Sequence, residues 1–133
     1  MEVQQIKYLC VHSSHTPDDD KLTPEALIHK HKARGAKDCK HHFIIDRDGT
    51  EVKARNITSP GIGTEEYNLE SISVCLMGTS DYTPAQKRGL RKLLVSLLDV
   101  FVKAKVVGHD EIEPEVGKDC PGLNVNKWFY KDG

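Results

Sequence analysis

Two stretches of the chain are apolar almost without a break: Ile6 to Val11 and Ser71 to Met77, the second ending at Gly78. Runs this short and this apolar predict strands buried on both faces. A third strand is predicted over His41 to Asp46. Arg47-Asp48-Gly49-Thr50 then forms a turn, and Glu51 to Ala54 returns as the antiparallel partner. Side chains alternate along a strand, so His41, Phe43 and Ile45 are expected on one face and His42, Ile44 and Asp46 on the other. The period changes after Thr83-Pro84-Ala85-Gln86. Leu90, Leu93, Leu94, Leu97, Leu98, Phe101 and Val102 recur at three and four, which is the spacing of one helical face. Thr83 is a good N-cap, Pro84 suits the first helical position, and Gln86 completes a capping box. Thr23-Pro24-Glu25 opens a second helix, which ends near Gly35 and has a partial apolar face of Ala26, Leu27, Ile28 and His31. Val106-Val107 is a short strand, and Asn126 to Tyr130 closes the chain as a helix packed on the sheet.

Strands interleaved with helices, plus one tight hairpin, predict an α/β (α+β) fold: a single domain over residues 1–133 with a central mixed sheet flanked by helices. The chain has 133 residues, room for one core but not two. A formal net charge of -1 argues against nucleic-acid binding by bulk charge. No apolar run reaches the length of a membrane span, and Met1 to Gln5 lacks the basic start and apolar region of a signal peptide, so a cytoplasmic location is expected. Cys10 and Cys75 sit in apolar runs and read as core thiols, and a disulfide involving Cys39 is disfavoured.

The chemistry concentrates between Val106 and Gly122. A strand runs into His109, a Pro/Gly-broken loop follows, and Lys118-Asp119-Cys120-Pro121-Gly122 ends it. An imidazole and a thiolate on one loop can hold zinc, which takes nitrogen and sulfur ligands. Lys118 can stabilise that thiolate or meet a negative charge on a substrate. A third ligand must come from elsewhere. On pattern alone His12 reads as a hydrogen-bonded loop histidine and His15 as a surface residue. His29 and His31 are two apart on a helix, point in different directions, and read as a solvated basic face. Only one of His41 and His42 can look into a given site.

The ordered set is more specific than its pieces. Val11-His12-Ser13-Ser14, then His42-Phe43-Ile44-Ile45-Asp46-Arg47-Asp48-Gly49-Thr50, then Tyr67-Asn68 with Ser71 to Gly78, Thr83-Pro84-Ala85-Gln86, Gly108-His109-Asp110-Glu111-Ile112 and Lys118 to Gly122 resemble the type 2 N-acetylmuramoyl-L-alanine amidases along essentially the whole chain. The likeness is nearest to the short phage lysozymes (endolysins) and more distant to the peptidoglycan-recognition proteins. It implies a groove holding one Zn2+ per chain on His12, His109 and Cys120. Three protein ligands leave a fourth position open, as in catalytic zinc sites. It assigns Lys118 to the developing oxyanion. His41 stands where the phage enzymes carry a tyrosine directed at the metal's water. It is therefore a candidate base, or a fourth ligand that would close the site. The relatives often carry a histidine in the loop that here reads Gly61-Ile62-Gly63-Thr64, and Ser14 and Thr64 are the expected groove-lining substrate contacts. The implied function is zinc-dependent hydrolysis of the lactyl–L-alanine amide of peptidoglycan by an endolysin that accumulates in the host cytosol. The alternatives on the same fold are a non-catalytic peptidoglycan-binding module and a regulatory module that binds a phage RNA polymerase, as some relatives do. Neither direct nucleic-acid binding nor membrane insertion is implied.

Overall fold

A computed structural model describes residues 3–35, 39–62 and 65–131, with only the backbone of residues 65 and 66. The elements follow the expected order: β1 (Tyr8–Ser13), α1 (Pro24–Ala33), β2 (Phe43–Ile45), β3 (Glu51–Lys53), β4 (Ser71–Leu76), α2 (Pro84–Val100), β5 (Lys105–Gly108) and α3 (His109–Ile112). The five strands form one sheet in the order β3-β2-β4-β1-β5. Only the β2–β3 hairpin is antiparallel, so the sheet is mixed, with β1 and β4 at its interior. That position explains why every residue of β4, and every residue of β1 after Tyr8, is buried.

One face of the sheet carries Leu9, Val11, Ile72, Val74, Leu76 and Val106, packed against Leu90, Leu93, Leu94 and Leu97 of α2. α2 begins where the sequence places it. Thr83 Oγ1 accepts from Gln86 N–H and Gln86 Oε1 accepts from Thr83 N–H, both at 3.0 Å. The fully buried Gln86 amide also donates to Met77 O at 2.8 Å, tying the helix start to the end of β4. The hairpin packs under that first turn. A Cβ on Gly49 would lie 2.5 Å from Ala85 O, and its φ of +88° is one that L side chains rarely adopt, so only glycine fits. The other face is covered by α1, through Leu27 against Ile44, Cys75 and Met77.

Four expectations change, and one concerns α2: the helix ends at Val100, so Val102, expected on its core face, is exposed beyond it. The strand predicted over His41 to Asp46 is only Phe43–Ile45. The His42 carbonyl accepts from both Ala54 N–H (2.9 Å) and Arg55 N–H (3.2 Å), so the ladder ends there and strict alternation does not extend back to His41. His31 is not solvated: it is buried with Leu27 on the inner side of α1, while His29 is exposed. The closing segment Lys127–Lys131 is a single π-helical turn, with Arg91 lying over the Trp128 ring at 4.6 Å. Along β5, Val106 N–H donates to Tyr130 Oη at 2.8 Å and Gly108 N–H to Glu111 Oε2 at 2.5 Å. Cys10, Cys39, Cys75 and Cys120 are all buried.

Candidate metal centre

Parallel pairing of β1 with β5 sets Val11 opposite Gly108, so the next residue of each strand, His12 and His109, emerges at the same end of the sheet. This register supplies what local sequence could not, a partner for His109 that lies nearly a hundred residues earlier. Their rings stand 4.4 Å apart between centroids. The third donor is held by the loop. Asp110 N–H donates to Cys120 O (2.9 Å) and Cys120 N–H to Gly117 O (2.9 Å). The Tyr82 hydroxyl donates to Pro121 O. Ser13 N–H points at Cys120 Sγ from 3.3 Å. Donor atoms of His12, His109 and Cys120 all lie within 4.8 Å of one another, and all three residues are buried.

The electrostatics of this trio favour a cation. Burial, reinforced by His41, His109 and His15, pushes the His12 imidazole well below its usual proton affinity, so it is a neutral donor. Its Nε2 is buried without a hydrogen-bond partner among the described residues. Burial pushes the Cys120 thiol up to about 11, against the Ser13 N–H and with the Asp110 carboxylate. A thiol held protonated beside the neutral His12 imidazole becomes a thiolate when a metal binds. Two nitrogens and one sulfur are the donor chemistry zinc takes, so these residues fit that ion.

His109 is oriented by a residue that the sequence reading did not single out. Its Nε2–H donates to Glu113 Oε1 at 2.7 Å, with both side chains buried. That bond places the proton on Nε2 and leaves Nδ1 as the lone-pair nitrogen. The four-residue separation on a helical turn was the available signal. Gly117 closes over the same ring: a Cβ there would meet His109 Cγ at 2.7 Å.

His41 lies beside the trio rather than within it, its ring 4.8 Å from that of His12. Its Nδ1 is 2.6 Å from the buried Ser73 hydroxyl, which leaves Nε2 as the nitrogen available to a ligand. Burial, then His31, His42, Lys40 and His109, lower its pKa to about 3, so the ring is neutral. His42 faces elsewhere, accepting from Ser73 N–H (2.9 Å) and bonded to Ser59 O (2.7 Å). Lys118 is exposed, two residues before Cys120. Ser14 lines the same cavity as the trio, and its Oγ accepts from Gly78 N–H (2.8 Å) and meets Thr16 Oγ1 at 2.5 Å, joining the loops after β1 and β4. His15 is exposed, with a left-handed φ of +55°. Thr64 lies outside the described residues. His12, His41, His109 and Cys120 open onto one cavity of about 330 Å³. A larger cavity of about 640 Å³, between Ile28, Phe43, Ala54 and Ile57, is lined by no imidazole, thiol or carboxylate among the described residues, so size does not locate the chemistry.

Three donors at the edge of an open cavity, rather than four in a closed shell, is how metal centres that act on a substrate are built. Comparison with known proteins makes the class specific. Residues 2–123 match the family described as N-acetylmuramoyl-L-alanine amidase, and the chain belongs to that family. It is 36% identical over 130 residues to the endolysin of Escherichia phage T7, covering 92% of this chain and 84% of that protein. It is 33% identical over 137 residues to the endolysin of Klebsiella phage KP32, covering 97% and 89%. Among solved structures, the amidase LysC from Clostridium intestinale superposes with a TM-score of 0.78 at 23% identity, covering 92% of this chain and 80% of that one. Peptidoglycan recognition protein-LE, bound to monomeric diaminopimelic acid-type peptidoglycan, does so with 0.77 at 17%, covering 98% and 86%. These last two establish the fold.

Proposed function

We propose that the protein is a zinc-dependent N-acetylmuramoyl-L-alanine amidase of the endolysin kind, acting on the lactyl–L-alanine amide of peptidoglycan. Family membership over nearly the whole chain supports the reaction. The observation that carries the metal is the convergence of His12, His109 and Cys120 within 4.8 Å at an open cavity. Bound there, zinc supplies a Lewis acid that polarises the amide carbonyl and acidifies water.

The chain's own groups do the rest. Glu113 accepts from His109 Nε2–H, which would leave Nδ1 to hold the metal. Ser13 N–H orients the Cys120 sulfur. The reaction adds water across the carbonyl, breaks the C–N bond, and releases a lactyl carboxylate and the L-alanine amine, which takes up a proton. His41, hydrogen-bonded to Ser73 through Nδ1, is the group we assign to hold water or the departing nitrogen at its Nε2. Lys118 is the cation assigned to the carbonyl oxygen as it gains charge. A non-catalytic peptidoglycan-binding role is the weaker reading, because the thiol that such a role does not need is present and within reach of both imidazoles. The polymerase binding of some phage relatives is a separate property, decided by pull-down with the polymerase.

The test is digestion of purified peptidoglycan, with products read by mass spectrometry, alongside zinc content for the wild type and Cys120→Ser. The expected result is one zinc per chain and new L-alanine amino termini, both lost in the variant. Zinc-free, active wild type would overturn the metal assignment. Zinc-loaded protein that releases no L-alanine amino termini would overturn the reaction.

A further inference from the structure

The wall of the cavity opposite the metal trio is built by α1, and its charge is one-sided. Leu27, Lys30, His31 and Arg34 recur at three and four, so they share a helical face, and all four line the cavity; Lys40 joins them from the following segment. Leu27 and His31 are buried, while Lys30 and Arg34 stand exposed on the rim beside them. No aspartate or glutamate lines the cavity among the described residues. None of the three cations is in an ion pair among those residues. Their fields meet at one point: after burial, Lys40, Arg34 and Lys30 are the groups that depress the proton affinity of His31. The negative end of a helix attracts cations to its last turn. That accounts for Lys32 as well, yet Lys32 does not line the cavity, so the helix end explains the composition and not the direction of Lys30 and Arg34.

We propose that Lys30 and Arg34, with Lys40, form a carboxylate-binding subsite that draws the stem peptide of the substrate along α1. This rests on the amidase reading and adds the orientation of the substrate. The two sides of the scissile amide differ in charge. The sugar side is a neutral amino sugar once its lactyl carboxyl is in amide linkage. The peptide side ends in a carboxylate, and diaminopimelic acid-type peptidoglycan, the kind bound by protein-LE, adds further carboxyl groups. A cavity walled by cations that have no ion pair among the described residues takes the anionic side, which leaves the glycan to run away from α1.

The experiment compares two soluble muramoyl peptides, one with free stem carboxylates and one with them amidated. Binding is read by calorimetry and hydrolysis by L-alanine amine release. Exposed pairs contribute little singly, so the wild type should prefer the free acid by roughly five- to tenfold in affinity and in kcat/KM, less at high salt. Lys30→Gln combined with Arg34→Gln should bring the two peptides within roughly twofold of each other. Lys32→Gln, in the same turn but outside the cavity, should keep the wild-type preference. Equal affinity of the wild type for both peptides, or an unchanged preference in the double variant, would overturn the subsite. Absence of hydrolysis with a preserved binding preference would instead overturn the amidase reading and leave the subsite standing.

Discussion

The two faces of the central sheet are built from different materials. Towards α2, the strands present Leu9, Val11, Ile72, Val74 and Leu76, all fully buried and aliphatic. The alternate residues of the same two strands, Cys10, His12, Ser71, Ser73 and Cys75, point towards α1 and the cavity; they are equally buried but small or polar. Burial alone therefore does not distinguish the faces. On the aliphatic face, buried area holds the fold together. On the other, short side chains make room for imidazoles and hold them: Ser73 fixes His41, and Ser13 N–H meets the Cys120 sulfur. The strands thus separate stability from chemistry at a spacing of one residue.

That separation can be broken from either side. The largest effect should come from the aliphatic face. Leu94→Ala, at a fully buried position, should cost about 2–5 kcal/mol of stability, read by denaturant unfolding, while zinc affinity of the folded protein stays within experimental error. A comparable loss of affinity would show that the faces are coupled. Next is Glu113→Gln, which should weaken zinc binding roughly 10- to 100-fold by chelator competition, with a much smaller change in unfolding midpoint. Unaltered zinc binding would remove Glu113 from the orienting role. The smallest perturbation is a proton. His12, His31, His41 and His42 all have proton affinities lowered by burial, so the unfolded chain protonates before the folded one. In metal-free protein, stability should be complete above about pH 6.5 and decline as pH falls through that value, continuing towards about 3, where His41 titrates in the folded state. Unfolding midpoints flat between pH 7 and 5 would contradict this.

How much of this was legible depended on range along the chain. The capping box of α2 and its leucine stripe are local, and they appear where the pattern puts them. The central strands β1 and β4 are legible from their unbroken apolar runs. The trio was not legible from spacing, because His12 meets His109 only through strand register; the family resemblance supplied it. His31 illustrates the opposite failure. Flanked by Lys30 and Lys32, it reads as solvated, yet the cavity side of α1 buries it against Cys39 Sγ at 3.4 Å. His41 was assigned a face by an alternation that stops at Phe43, since the sheet ends where the His42 carbonyl is shared by two donors. The role of Glu113 became visible only once the short turn of α3 brought it under His109.

The margins of the sheet bear on crowding rather than catalysis. An open strand edge is a template for another chain. Here the outward amides of β5 at Val106 and Gly108 are already taken, by the Tyr130 hydroxyl and the Glu111 carboxylate. At the opposite margin β3 is three residues long and shows Glu51 and Lys53 to solvent. Among the described residues both borders are blunted, one by side-chain partners and the other by its shortness and charge, which discourages strand-to-strand aggregation.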